Sequence, residues 1–490
     1  MGTNFEPPRR RDSARRPSIL AMLAILAMLA MGSVLSQSFS APSDPATDLV
    51  RTRLFLTTTA PAIDLTVQGA SLANAVFTLR AGPESVREVI DHDTIHVTRN
   101  PERAPLDLEI DTILAGVVPK ATVGWRLASE AAAPARLEVW NVTRRGAARV
   151  DEFSTDNGDA AFTTRGGLLR SPETIGRVPN VPSRLVVAFF YPWWDRTGWS
   201  NAALFTDAPA RPYDSNDPVD VARVMGEAKA AGLDALVVSW AGKDFDDRID
   251  HRRMITCLTG AQTAGTKVAA LFETTVANPQ HEDGLADPET VFRWLADIVD
   301  LYAPHPAYLR VDGRPVVMAY AAQRMAQAGW TEALGKLRAS GRDVLLIGEG
   351  INATRLGALD GLFYYASNEY QGDQIFDFDR TQSLSVRTYH LLPNDTGRRR
   401  IWVATVSPGY DDRQLKDGRI PRTSDRDNGR YYDRQWQAAI DLRADWVVVT
   451  SWNEWMENTQ IESSVRYGDW YATRTKMWAD RFRRRQGGIF

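Results

Sequence analysis

Glu454 and Glu457 are the residues of this 490-residue chain with the clearest chemical potential. They stand three apart in Trp452-Asn-Glu-Trp-Met-Glu457, directly behind the apolar run Trp446–Trp452. Two carboxyls so spaced on a turn can project toward one face. Held together, like charges push their pKa values apart, so one keeps its proton near neutrality while the other is ionised. Glycosidic cleavage requires that pairing of an acid with a base or nucleophile. A solvated Glu-x-x-Glu on a helix surface is the commoner origin of such a pair. The buried run before it and the flanking Trp452, Asn453 and Trp455 favour chemistry here. Glu273 closes another apolar run, Lys267–Glu273, and reads equally as a site carboxylate or as half of an ion pair.

Elements must bring such residues together. From about Arg184 onward, eight short apolar runs alternate with helical stretches: Leu185–Tyr191, Ala235–Trp240, Lys267–Glu273, Pro315–Tyr320, Val344–Gly348, Leu362–Tyr365, Ile401–Val406 and Trp446–Trp452. Continuous apolar strands separated by helices indicate a parallel sheet buried on both faces. Eight of them predict a (β/α)₈ TIM barrel, an α/β fold whose chemistry lies at the C-terminal strand ends. The helices are expected at Val219–Ala231, Arg252–Ala264, Pro288–Leu301, Gln323–Ala339 and Tyr432–Leu442, with the sixth unit, Thr381–Leu392, the weakest. An open doubly wound sheet is the alternative, but no G-x-G-x-x-G follows the first strand. The strand ends carry Tyr191, Trp193, Trp194, Ser239, Trp240, Glu273, Tyr320, Glu349, Tyr364, Tyr365 and Tyr410. Aromatics and carboxylates without a Gly-rich phosphate cradle suit a saccharide, whose C–H faces stack on rings. Trp fits too: there are 15, all but Trp125 and Trp140 from Trp193 onward, although core packing accounts for most single ones.

Before the barrel, residues 49–178 read as an all-β, sandwich-like domain, with strands at Leu54–Thr58, Ile63–Gln68, Leu106–Ile110, Ala121–Leu127, Arg136–Val142 and Arg149–Phe153. It could bind sugar, act as a spacer or pack on the barrel as a lid. Residues 1–48 form a signal peptide or membrane anchor plus linker: Arg9, Arg10, Arg11, Arg15 and Arg16 precede an apolar stretch from Ile19 to about Leu35. Cleaved or uncleaved, this orientation sends the bulk of the chain, 179–490 included, to the extracytoplasmic side, and an uncleaved segment makes the membrane a partner.

Composition excludes other classes. Net charge is −3 and pI about 6.1, so nucleic acid is not an expected partner. One cysteine and six unclustered histidines provide neither a disulfide nor a metal site, and no cofactor is expected. Nothing specifies an oligomeric state.

Thr450-Ser-Trp-Asn-Glu-Trp-Met-Glu-Asn-Thr-Gln-Ile-Glu462 resembles the signature of glycoside hydrolase family 99, the endo-α-mannosidase and endo-α-mannanase family. Collinear stretches resemble it too: Phe190-Tyr-Pro192, Pro212-Tyr-Asp-Ser-Asn-Asp-Pro218, Ala231-Gly-Leu-Asp-Ala-Leu-Val-Val-Ser-Trp240, His305-Pro-Ala-Tyr308, Asp360-Gly-Leu-Phe-Tyr-Tyr365, Ser407-Pro-Gly-Tyr410 and Gly429-Arg-Tyr-Tyr432. The resemblance implies a (β/α)₈ barrel and a retaining, metal-free reaction through a 1,2-anhydro sugar. Glu454 would then deprotonate the sugar 2-hydroxyl, and Glu457 would act as acid and later as base. Glu273 and Tyr364 would lie beside the reacting sugar, with Tyr191, Asp214, Trp240, Tyr410, Asn453 and Trp455 completing the binding set. Two stretches depart from the pattern. Leu271-Phe-Glu-Thr274 replaces His-Ile-Glu-Pro, and Trp455-Met-Glu-Asn458 replaces Trp-His-Glu-Gly, each losing an imidazole. The expected partner is an oligosaccharide or polysaccharide, first an α-mannoside, then another envelope or capsular polymer. Two other readings stay open: a non-catalytic glycan-binding or assembly protein using the same cleft, and a double displacement with Glu273 as nucleophile.

Overall fold

The structure, a computed structural model, describes residues 48–58, 62–68, 75–81, 87–91, 94–98, 106–117, 122–128, 135–141, 149–155, 159–163, 184–200, 205–274, 287–350, 353–372, 374–389, 400–415 and 420–484. The basic and apolar segment expected before residue 48 lies outside them. No helix among the described residues is long and apolar enough to cross a membrane.

The strands before residue 164 form two five-stranded antiparallel sheets. One runs Ala75–Ala81, Leu106–Val117, Asp48–Thr58, Ala135–Asn141, Arg149–Thr155. The other runs Asp159–Thr163, Thr122–Ala128, Ala62–Gln68, Thr94–Thr98, Arg87–Asp91. Sequence reading finds six of these strands and misses Ala75–Ala81, Arg87–Asp91, Thr94–Thr98 and Asp159–Thr163. Arg87–Asp91 and Thr94–Thr98 pair through a two-residue connection, His92-Asp93, which carries none of the Gly or Asn that mark a tight hairpin.

The barrel strands are β1 Val186–Phe190, β2 Ala235–Trp240, β3 Lys267–Glu273, β4 Arg314–Tyr320, β5 Leu345–Glu349, β6 Gly361–Phe363, β7 Ile401–Val406 and β8 Trp446–Val449. Each pairs in parallel with the next, and β8 pairs with β1, closing the ring. β1, β2, β7 and β8 are buried at every position, as strands covered on both faces must be. The outer helices are α1 Pro218–Ala230, α2 Phe245–Ala264, α3 Pro288–Asp297, α4 Gln327–Ala339, α5 Gln374–Thr388, α6 Arg430–Asp441 and α7 Trp470–Arg484. α1 and α3 start where the chain dictates. Asp217 and Asp287 accept from N–H groups of the first turn, and a proline follows each.

The reduced unit is not the sixth. The connection after β6 holds the full helix α5, whereas β5 and β6 are joined by the short 3₁₀ turn Ala353–Gly357. A Cβ on Gly361 would lie 2.3 Å from the Ile401 carbonyl oxygen, so β6 and β7 approach where only glycine fits.

Candidate active site

Side chains alternate along a strand, so the parity of each strand end decides what faces the barrel axis. Phe189 packs on Phe363 and on Tyr365, which puts all three toward the axis. Two residues past Phe189 comes Tyr191, and its hydroxyl lies 2.6 Å from that of Tyr365. The β2–β3 and β3–β4 registers set Ser239 beside Leu271 and Glu273 beside Tyr320. Ser239 Oγ donates to Glu273 Oε1 at 2.7 Å. On β5, Glu349 accepts from the Ala321 N–H at 2.7 Å and the Tyr365 N–H at 3.2 Å, tying together the chain behind β4 and β6.

After β8 the chain turns into a loop that hydrogen bonds close on themselves. Ser451 N–H donates to the Thr459 carbonyl at 2.9 Å, Ile461 N–H to the Ser451 carbonyl at 3.0 Å, and Glu462 N–H to the Trp452 carbonyl at 3.0 Å. Trp452 N–H reaches the Phe189 carbonyl of β1 at 2.8 Å. Within this loop Ser451 Oγ accepts from the Glu454 N–H at 2.7 Å, and Glu454 Oε1 accepts from the Met456 N–H at 3.3 Å. Glu457 Oε1 lies 3.1 Å from the Tyr410 hydroxyl, within hydrogen-bond distance. Arg426 braces the far side. It donates to the Asn458 and Gln460 carbonyls at 2.9 Å each, and its guanidinium lies over the rings of Tyr467 and Tyr471. Gly409 makes room for this brace, since a Cβ there would stand 2.5 Å from Arg426 Cγ.

These groups share one space. Burial first, then the carboxylates of Glu454, Glu273 and Glu457, hold the Tyr191 phenol well above its ordinary pKa. Burial and then Glu349, Glu273 and Glu457 do the same to Tyr320, while Tyr365 is raised by burial, Tyr191, Glu457 and Glu454. Four glutamates, none more than 5% exposed, thus surround three neutral phenols. Burial pushes Glu273 up to about 8, against the lowering hydrogen bond from Ser239. A carboxyl in that state is neutral at pH 7 and can donate a hydrogen bond. Such a lining presents hydroxyls and protonatable carboxyls to a ligand, which suits binding a polyol and moving protons on it.

Of the residues singled out in the sequence, Tyr191, Glu273, Glu454, Glu457 and Tyr410 come together. Asn453 sits directly beneath them, with its amide committed to the fold: Oδ1 accepts from the Tyr191 N–H, and Nδ2 donates to the Tyr191 carbonyl and the Tyr213 hydroxyl, all at 2.8 Å. Trp455 donates its indole N–H to Glu462 at 3.2 Å and meets Trp199 edge-on, as part of the supporting wall. The remaining three face elsewhere. Trp240 packs among Phe272, Trp294 and Tyr302 under the helices, because it has the opposite parity to Ser239. Tyr364 packs on Tyr370 and Phe378, with the opposite parity to Tyr365. Asp214 organises the turn before α1, accepting from the Asn216 N–H and side chain. Ser239, Tyr320, Tyr365 and Glu349, noted in the sequence at strand ends but left out of the binding set, join the site, and Tyr213 and Ser451 were given no role there. The period of two groups Tyr365 with Phe363 and Ser239 with Val237, but which of the two faces meets the axis is set by the neighbouring strands.

Carboxyls gathered at the C-terminal mouth of a closed, eight-stranded parallel ring define a (β/α)₈ barrel with a candidate acid–base site. Residues 205–484 match the model of glycosyl hydrolase family 99. The chain belongs to that family. It is 26% identical over 309 residues to a glycoprotein endo-alpha-1,2-mannosidase-like protein of Danio rerio, a match covering 55% of this chain and 65% of that one. It is 25% identical over 307 residues to the glycoprotein endo-alpha-1,2-mannosidase of Mus musculus, covering 55% of this chain and 62% of that one. The chain therefore spans less than two thirds of the length of these curated relatives. Among solved structures, the GH99 endo-alpha-mannosidase from Bacteroides thetaiotaomicron is similar at 25% identity and a TM-score of 0.52, over 62% of this chain and 98% of that one.

Proposed function

We propose that this protein is a retaining, endo-acting glycoside hydrolase of α-linked glycans, with an α-mannosidic polymer or glycan as first candidate, working outside the cytoplasm. The observation that carries this reading is that Glu454, Glu457 and Glu273 all act on one phenol, Tyr191, at the barrel mouth. In the proposed route Glu454 takes the proton of the sugar 2-hydroxyl as that oxygen attacks C1, and Glu457 gives its proton to the departing glycosidic oxygen. The product is a 1,2-anhydro sugar. Glu457, now ionised, takes a proton from the water that opens it at C1, and Glu454 returns its proton to O2. Two inversions at C1 give net retention. Glu273, held neutral, donates a hydrogen bond to the same sugar, and the linked hydroxyls of Tyr191 and Tyr365 line that subsite. In the proposed organisation 179–490 is the catalytic unit, 49–178 an accessory β-domain and 1–48 the exporting segment.

Reducing-end release from α-mannans and defined α-linked oligosaccharides tests the reading. Glu457→Gln should lower kcat/KM by about 10²–10⁴-fold, as loss of a positioned acid does. It should retain more rate on a glycosyl fluoride, whose leaving group needs no proton. An active parent that keeps its full rate on the unactivated polymer after this change refutes the assignment of the acid.

A further inference from the structure

The Tyr410 hydroxyl touches two carboxylates, Glu457 Oε1 and Asp412 Oδ2, each at 3.1 Å. A phenol has one proton to give. With both carboxyls ionised, one of these contacts would be an oxygen against an anionic oxygen, so the triad is satisfied only when one end holds a second proton. Asp412 is suited to be the accepting end. It is 3% exposed, and its other oxygen takes the Arg422 N–H at 2.6 Å. The two-stranded turn pairing Tyr410–Asp411 with Thr423–Ser424 holds it there. Glu457 is thereby left as the end that carries the proton.

We propose that Asp412 is a positioning residue that, through Tyr410, keeps Glu457 protonated between turnovers and so sets the upper pH limit of the reaction. The proposal rests on the reading of Glu457 as the acid. In the resting state Glu457 donates to the Tyr410 oxygen, and Tyr410 donates to Asp412. When Glu457 gives its proton to the leaving oxygen, the Tyr410 O–H swings from Asp412 to the new Glu457 carboxylate. No proton leaves the tyrosine, and the incoming water restores the one Glu457 gave up. Asp412 acts in one direction by both routes, since its charge repels ionisation of Glu457 and its acceptor oxygen orients Tyr410 to accept from the acid. The other groups facing Glu457 are Glu454 on its own loop, Glu273 from β3, and the phenols of Tyr191, Tyr320 and Tyr365 from β1, β4 and β6. Arg426 lies behind the loop on backbone carbonyls, Arg324 stands beside Tyr320, and Arg413 pairs with Asp411.

Asp412→Asn in the full chain tests this, because asparagine keeps the shape and one acceptor oxygen. The basic limb of kcat/KM against pH should move down by about one pH unit, a rate loss of about tenfold at a pH above the limb. In a Tyr410→Phe background the same change should move the limb by less, because only the charge of Asp412 is then lost from beside Glu457. A merely structural Asp412 would lower the plateau and not move the limb, and that result overturns the proposal. A readout independent of turnover is the infrared carboxyl band that disappears in Glu457→Gln. Its titration midpoint should fall by about one unit in Asp412→Asn. A parent without turnover whose band still shifts would sink the hydrolase reading and support the relay. An active parent with limb and band both unmoved would sink the relay alone.

Discussion

At the N-terminal rim of the barrel, Asp234, Asp360 and Asp445 each stand just before one strand and accept from the N–H near the start of the preceding one. Their partners are Val186 at 2.8 Å, Leu346 at 2.9 Å and Trp402 at 2.9 Å. Arg483 pairs with Asp234 and Arg314 with Asp360, both at 2.8 Å. At the opposite rim Glu273 has the Ser239 hydroxyl and other carboxylates for neighbours, and burial holds its proton. One end of the barrel gives its carboxylates fixed donors and uses them as staples. The other sets carboxyls beside phenols and beside one another, and obtains in Glu273 a group whose proton can move. Conserving charge pairs suits stability, and crowding like groups in a dry place suits chemistry.

The largest effect that would test this contrast is expected at the foot. Asp360→Ala strips two hydrogen bonds from Arg314 and the acceptor from Leu346, leaving the half-buried guanidinium with Asp343 and the Val344 carbonyl alone. Unfolding in denaturant should show a loss of about 3 kcal/mol, with the pH dependence of activity unmoved. A loss below about 1 kcal/mol would mean the staple is ornamental.

At the mouth the sign depends on pH. The folded-state pKa of Glu273, about 8, lies above its ordinary value of 4.5. The contribution of this group is therefore fully present below the ordinary value and is lost as pH rises through the folded one. Glu273→Gln removes that slope. Measured against the parent from about pH 5 to 8, the variant should gain relative stability, reaching on the order of 3 kcal/mol and levelling off beyond. Glu462, also pushed by burial up to about 8, contributes equally to both proteins and cancels. A difference that stays flat with pH would show that Glu273 is compensated like the foot carboxylates.

The smallest effect is expected at Asp445, where the contact to be lost is the one it accepts from the Trp402 N–H at 2.9 Å. Asp445→Ala should cost about 1–2 kcal/mol by thermal or denaturant unfolding, less than Asp360→Ala, and leave kcat/KM as it is.

Much of this molecule was legible without coordinates. Eight apolar runs at barrel spacing, and Glu454 and Glu457 behind the last of them, follow from composition along the chain, because strands covered on both faces cannot be polar. Less legible were the choices between neighbours. Tyr364 and Tyr365, or Ser239 and Trp240, are adjacent and equally plausible by type. Which one faces the axis depends on the register with flanking strands, whose residues lie tens of positions away along the chain. Asn453 shows the same limit: its position was marked, but its use as a clamp on Tyr191 and Tyr213 depends on β1 lying beside β8.

The sequence by itself determined the strand count of the barrel, its order of β and α units, the family and the identity of the two acid–base candidates, since each is a matter of local pattern. Only the tertiary structure decided which tyrosines join them, that Glu273 holds its proton, and that Asp412 reaches Glu457 through Tyr410. Those are properties of distance and burial, and distance across a closed barrel is set by the whole ring of strands at once.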